Sequence, residues 1–441
     1  MTGSKRPNFV FILADDLGYA DLGCTGAHIP PGADGTPRLD RMAAEGLLFS
    51  DGYSNSCVCS PTRFALITGR YQYRIPAAAE EPLASNRARG QDGMGLDPAH
   101  PTLPSLLRDA GYATGLVGKW HLGYPPTYHP TKSGYQHFFG SLSGGIDYFA
   151  HTDPAGRHDL WHGETESSSD EYFTDLVSRK AVEFINGQQD PFLLSVHYTA
   201  PHWPWETRDD RAESQRIGGA IRHLDGGSIA TYRRMIHHMD EGIGRILDTL
   251  AERGLADDTI VVFTSDNGGE RFSDVWPFVG GKMDLLEGGI RVPLIARWPR
   301  RIKAGSRSAT PAITMDWMAT FLDAAGVTPH PAYPLDGISL LPLFDNPAWD
   351  PGRALFWRTT HRLQRAARSG NWKYLAAGEH EYLFDLARDG HERANMKARE
   401  PARFAELKAL WEQWATTMPA IPPGAQAHLI FGEAQIPRPT H

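Results

Sequence analysis

Residues 7–18 read PNFVFILADDLG and residues 259–269 read TIVVFTSDNGG, two β-branched and aromatic runs that each break into an acidic pair, Asp15-Asp16 and Asp266-Asn267. Continuous apolar runs of this length suit strands buried on both faces of a mostly parallel sheet. The carboxyl ends of parallel strands share one edge, where open sheets bind ligands. Asp15, Asp16, Asp266 and Asn267 are therefore expected to converge as an all-oxygen cage for a hard cation, Ca²⁺ or Mg²⁺. The plain alternative, equally compatible with either pair alone, is two unrelated solvated turns. Carboxylates ~4 Å apart repel by about 4 kcal/mol per pair at an effective dielectric near 20, so three aspartates that meet require a cation.

Working outward, residues 113–117, 192–196 and 292–296 also read as strands. Helical spacing covers 38–44, 103–110, 171–185, 229–251 and 315–325. This βα rhythm predicts an α/β domain over residues 1–342. Beyond Pro342 the runs ALFWRT, RAARS, WKYLAA and EYLFDL predict a small antiparallel sheet in a second region, 343–441. A final helix carries Phe404, Leu407, Leu410, Trp411 and Trp414 as a stripe to pack on that sheet. Residues 76–101 and 141–167, rich in Gly, Pro, Asp and Ser, are expected to be long loops.

The 441 residues carry a formal net charge of −8, so the surface has no general attraction for polyanions and nucleic acid is not an expected partner. No stretch has the length and apolarity of a membrane span. The N-terminus lacks the pattern of an export signal, and a cytoplasmic location is the expectation. Three cysteines, two of them one residue apart, suit neither a disulfide framework nor a zinc knuckle.

Residues 59–70 read CSPTRFALITGR. Pro61 suits a first helical turn, which places Cys59 at the positive end of a helix beside Arg63. Taken alone, this describes a low-pKa thiol or a buried structural cysteine. The segment also resembles the type I sulfatase signature, in which a cysteine followed by x-Pro-x-Arg is oxidised to Cα-formylglycine. Cys57 does not fit, because Cys59 stands where the proline is required, and Thr62 replaces the more usual serine.

The resemblance extends along the chain. RPNFVFILADDLGYADLG resembles the family's first metal strand, with Asp15 and Asp16 as ligands, and FTSDNGG the second, with Asp266 and Asn267. GYATGLVGKWHLG supplies Lys119 and His121, YTAPHWPWE supplies His202, and GGKMDLLEGGIRVP supplies Lys282. Ser143, in FFGSLSGG, is a further substrate contact by a looser match. Glu287, Gly288 and Gly289 are read as structural turn chemistry. The implied fold is an alkaline phosphatase-like α/β/α sandwich with a large mostly parallel sheet and a small C-terminal antiparallel sheet carrying a packed helix.

The resemblance implies hydrolysis of a small aryl or sugar sulfate ester, with a formylglycine-generating enzyme as maturation partner. One hydroxyl of the aldehyde hydrate at residue 59, itself a metal ligand, attacks sulfur. Asp266 assists it, His121 takes the second proton, and His202 with Lys282 protonates the leaving oxygen. Lys119, Lys282 and Arg63 neutralise the ester. Three carboxylates and one amide lean towards calcium over magnesium. The competing readings are a phosphonate monoester hydrolase or phosphodiesterase of the same superfold, and a non-catalytic binder of sulfated ligands. Trp203 and Trp205 are either subsite walls or packing residues.

Overall fold

The computed structural model describes residues 6–28 and 34–428. Residues 1–5, 29–33 and 429–441 lie outside the described residues, and with them the outer ends of regions 1–342 and 343–441. In chain order the strands are β1 (Asn8–Ala14), β2 (Leu47–Phe49), β3 (Gly52–Tyr53), β4 (Ala113–Lys119), β5 (His137–Ser141), β6 (Trp161–His162), β7 (Thr165–Glu166), β8 (Phe192–His197), β9 (Thr259–Ser265), β10 (Leu294–Arg297), β11 (Ser306–Ser308), β12 (Ala312–Ile313), β13 (Ala354–Thr359), β14 (Gln364–Ser369), β15 (Trp372–Ala377) and β16 (His380–Asp385).

Ten of these form one sheet in the order β11-β2-β10-β9-β1-β8-β4-β5-β6-β7. Its centre, β9-β1-β8-β4-β5, is parallel throughout. Successive side chains of β1 point to opposite faces, and both faces are covered. Val10, Ile12 and Ala14 lie in one core with residues of the helices Pro37–Ala44, Phe173–Gly187 and Ile229–Glu252. Phe9, Phe11 and Leu13 lie in a second core with residues of Cys59–Thr68, Leu103–Asp109 and Asp316–Ala325. The result is the expected α/β/α sandwich, and the apolar runs are continuous because neither face meets water.

One expectation changes. The strand foreseen at 292–296 begins at Leu294 and runs antiparallel to β9. Between Ser265 and Leu294 the only helix is the short Glu287–Ile290, so nothing carries the chain back to the far edge. The chain re-enters from the carboxyl edge it has just left, which fixes an antiparallel pairing.

Strands β13–β16 form the small antiparallel meander. One face holds Ala367, Tyr374 and Leu383 against Leu407 of the helix Pro401–Thr416. Leu355, Trp357, Ala366 and Leu375 join the larger core, which also contains Tyr53, Cys57 and Met283. Along the helical stripe Leu407 and Trp414 are buried, while Phe404, Leu410 and Trp411 are half-buried. Residues 76–101 and 141–167 contain only short elements, as expected of loops. No helix among the described residues is long and apolar enough to cross a membrane.

Candidate active site

The site stands where four parallel strands end together. Ala14 pairs with Ser265, Leu13 with His197, and Gly118 with His197, so Asp15, Asp266 and Lys119 emerge side by side. Gly118, at φ +106°, lets the strands close up beneath Lys119, since a Cβ there would collide with the His197 carbonyl. Asp16 and His121 adopt left-handed backbone, φ +63° and +61°. Such conformations cost non-glycine residues about 1–3 kcal/mol and persist where the surroundings hold them. At Asp16 the turn stops the chain from simply alternating and brings consecutive carboxylates to one place.

The CSPTR segment forms the first turn of the helix Cys59–Thr68, which Gly69 ends in left-handed geometry. The Thr62 hydroxyl, where the resemblance more often has serine, accepts from the Ser56 N–H at 2.9 Å and ties down the loop entering the helix. Cys59 Sγ lies 3.4 Å from Asp15 Oδ1. One ligand atom each from Asp15, Asp16, Cys59 and His202, all buried, lies within 4.8 Å of the others. Cys59 is therefore beside the acidic cluster, and His202, expected only as a substrate and proton-transfer residue, belongs to the same cluster.

Cations flank the carboxylates. Arg63 donates to Asp266 Oδ2 from Nε at 3.0 Å and from Nη2 at 2.8 Å, and Nη2 also reaches Asp15 Oδ2 at 3.3 Å. Lys119 is paired with Asp15, and Lys282 Nζ with Asp16 Oδ2 at 2.7 Å. Asn267 Nδ2 donates to Asp16 Oδ1 at 2.7 Å and to Gly268 O at 2.9 Å. Its Oδ1 is buried without a hydrogen-bond partner among the described residues. An unsatisfied amide oxygen beside clustered carboxylates is what a hard cation's ligand set offers, and a ligand ion would remove its desolvation cost.

The histidine tautomers follow from their partners, since a carbonyl only accepts. His121 Nε2–H donates to Leu83 O at 2.9 Å, leaving Nδ1 as a buried acceptor with no partner among the described residues. His202 Nδ1–H donates to Trp203 O at 2.7 Å. The neutral ring then turns the Nε2 lone pair towards Asp16 Oδ2, 3.6 Å away. Lys282 Nζ, 2.7 Å from the same oxygen, supplies a cation beside these two electron-rich atoms.

Burial pushes both rings well below the ordinary histidine range, aided by Lys119 and Arg63 at His121 and by Lys282 and Lys119 at His202. Burial opposes charge on Lys282, but Asp16 and the other acidic neighbours hold its ammonium well above the usual value. Burial and Asp15 push the Cys59 thiol well above its ordinary range, against the pull of Lys119 and Lys282. Burial and the neighbouring carboxylate thus work against the low-pKa thiol that the isolated motif describes. Burial and Asp15 likewise raise Asp266, against Arg63 and the lysines.

Ser143 stands apart. Its hydroxyl lies between the carboxylate of Asp159 and Gly145 O, and its N–H donates to Asp159 Oδ2 at 2.8 Å. Buried Asp159 needs those donors, and Gly144 stands on the cleft wall. Sequence reasoning missed His197, whose Nδ1 lies 3.1 Å from Lys119 O and 3.4 Å from Arg63 Nη1. Its place as last residue of β8 was the available signal. Cys59, His121, His202 and Trp203 open onto a cleft of about 630 Å³, also lined by Leu83, Asn86 and Arg222. Trp205 instead packs on Phe272 and His223.

Sheet order, acidic strand ends and the Cys59 helix define a class of hydrolase fold shared by several oxyanion-ester enzymes. Within it the chain belongs to the sulfatase family: the Sulfatase family model matches residues 7–327, and the model "N-sulphoglucosamine sulphohydrolase, C-terminal" matches 281–415. The N-acetylgalactosamine-6-sulfatase of Mus musculus is 36% identical over 359 residues, covering 77% of this chain and 66% of the relative. The chain thus spans slightly less than two thirds of that relative's length. The crystal structure of Ps i-CgsB in complex with k-i-k-neocarrahexaose has a TM-score of 0.85 at 30% identity, covering 96% of this chain and 95% of that one. The phosphonate monoester hydrolase of Agrobacterium radiobacter, at TM-score 0.63 and 21% identity over 93% of this chain and 94% of its own, shares the fold.

Proposed function

We propose that the protein hydrolyses sulfate monoesters of sugars to alcohol and inorganic sulfate, with residue 59 acting as Cα-formylglycine. The observation that carries this reading is the placement of Cys59 against Asp15, Asp16 and His202, with Arg63, Lys119 and Lys282 around them. A sulfate ester bears negative charge that shifts to the departing oxygen as the bond breaks, so fixed cations and a proton source must await it.

Asp15, Asp16, Asp266, Asn267 and residue 59 are the groups we assign to a calcium ion; His202 shares the cluster of Asp15, Asp16 and Cys59. When bound, the ion would polarise a sulfate oxygen as a Lewis acid. The hydrated aldehyde at residue 59 would supply a hydroxyl nucleophile that a buried thiol cannot match. Oxidation of Cys59 requires a formylglycine-generating enzyme as partner.

The chain's own residues do the rest. Lys119 and Lys282 attract the ester, and Arg63 fixes Asp266 so that its other oxygen can face the nucleophile. His121, neutral and with Nδ1 free, is poised to accept a proton. Lys282 and His202, both beside Asp16 Oδ2, are the pair we assign to protonating the leaving oxygen. The sugar class is supported by the name of the N-acetylgalactosamine-6-sulfatase relative.

Peptide mass spectrometry of the active protein is expected to show an aldehyde at residue 59. Cys59→Ala is expected to keep the fold and lose sulfate release at least about 10³-fold, as on removal of a covalent nucleophile. Faster turnover of phosphonate monoesters than of sulfates would give the function to the competing hydrolase class. A thiol at residue 59 in protein that binds sulfated sugars without turnover would make it a binder.

A further inference from the structure

The wall of the cleft includes one residue from beyond the stretches matched by the family models, which end at 327 and 415. It is His428, which lines the same cleft as Cys59, His121 and His202. After the helix Pro401–Thr416 the chain crosses back to the catalytic edge and pairs with residues 80–81. Glu81 N–H donates to Gln426 O at 3.0 Å, and His428 N–H to Glu81 O at 2.7 Å.

Side chains lock the strap. Glu80 Oε2 accepts from His428 Nε2 at 3.0 Å, from Gln426 N–H at 3.3 Å, and is paired with Arg87 at 3.2 Å. Because a carboxylate only accepts, Nε2 carries a hydrogen and Nδ1 remains without a protein hydrogen bond among the described residues. Two residues from Glu81, the Leu83 carbonyl holds His121. The ring of His428 is thus oriented, half of its polarity is unspent, and it stands on the wall of the cleft onto which Cys59 opens.

We propose that His428 contacts the alcohol half of the substrate and sets which alcohol is accepted. A hydroxyl-bearing sugar ring is the class whose O–H groups satisfy the free ring nitrogen. Arg222, a cation on the same cleft with no ion pair among the described residues, leaves room for an alcohol that is itself anionic. The proposal rests on the sulfatase reading.

The test compares kcat/KM for N-acetylgalactosamine 6-sulfate with that for p-nitrophenyl sulfate in the parent, His428→Ala and Glu80→Gln. The expected result is a roughly tenfold fall in the ratio for His428→Ala and a smaller fall for Glu80→Gln. A ratio unchanged within twofold overturns the proposal, whether because the parent shows no preference or because both rates fall together as a structural defect would make them. Saturation-transfer NMR with free N-acetylgalactosamine needs no turnover. Sugar binding lost in His428→Ala supports the contact even where neither ester is cleaved, which would sink the sulfatase reading alone; binding unaltered by the substitution overturns the contact.

Discussion

Arg63 and Asp266 meet at a single carboxylate oxygen, with Nε at 3.0 Å and Nη2 at 2.8 Å from Oδ2 and both side chains buried. The same guanidinium reaches Asp15 and donates to the Lys119 carbonyl at 3.1 Å. One planar group therefore ties together the ends of β1, β4 and β9. Arg63→Met leaves two buried carboxylates without it and is expected to cost about 3–5 kcal/mol. Arg63→Lys should recover only part of that, since a point charge cannot span three acceptors. Urea midpoints measure both; a Met variant as stable as the parent would contradict the tie.

The unsatisfied Asn267 oxygen leads to a second expectation. A calcium ion bound to the folded state alone adds about 2.7 kcal/mol at a concentration 100 times its Kd. Chelator-treated protein should gain stability on return of Ca²⁺, and Asn267→Ala should lose most of the gain. Thermal unfolding with and without the ion decides it. No gain with either Ca²⁺ or Mg²⁺ would remove the cage from the account.

Burial, Lys119, Arg63 and Lys282 disfavour the charged form of His121 and hold it well below the ordinary histidine range. Its lowered pKa means that the ring stays a competent acceptor until pH falls well below the usual histidine range near 6.5. The acid limb of the kcat profile is expected there. His121→Ala should lower kcat by about 10²–10⁴ without changing ion-dependent stability. An acid limb centred at pH 6.5 or above would assign the proton to another group.

Much of this arrangement is visible in the chain because its causes are local. A strand buried on both faces must be apolar throughout, so β1, β4, β8 and β9 announce themselves, and their endings place Asp15, Lys119 and Asp266. The helix at Cys59 follows from Pro61 in its first turn and Gly69 after it. What the sequence hides depends on the path of the chain. The reversal of β10 follows from the absence of a long crossover helix between residues 266 and 293. The company His202 keeps depends on a left-handed turn at Asp16 that no spacing reveals. Ser143 is claimed by Asp159, sixteen residues away, and His428 reaches the cleft only through a pairing with Glu81 across nearly the whole chain.

The last expectation concerns the seam between the two sheets. Lys373 of β15 lies between Glu287 and Glu392, 2.8 Å from each, with all three side chains buried. Against the penalty of burial, Lys373 and the nearby arginines hold Glu287 down at about 2. Burial, with Glu287 adding to it, pushes Glu392 up to about 7 despite the lysine. The signs oppose each other. Glu287 contributes stability that is present above its unfolded value near 4.5 and is lost as pH falls towards 2. Glu392 contributes stability that is present below 4.5 and is lost as pH rises through about 7. Lys373→Met takes the ammonium from Glu392 and leaves Glu287 to Arg291, 3.2 Å away, and is expected to cost about 3–5 kcal/mol at pH 8. Because protonation relieves the stranded charge of Glu392, the deficit should shrink as pH falls from 8 to 5. Urea unfolding across that range checks it, and a deficit that stays constant with pH would show that the lysine acts through packing instead of charge.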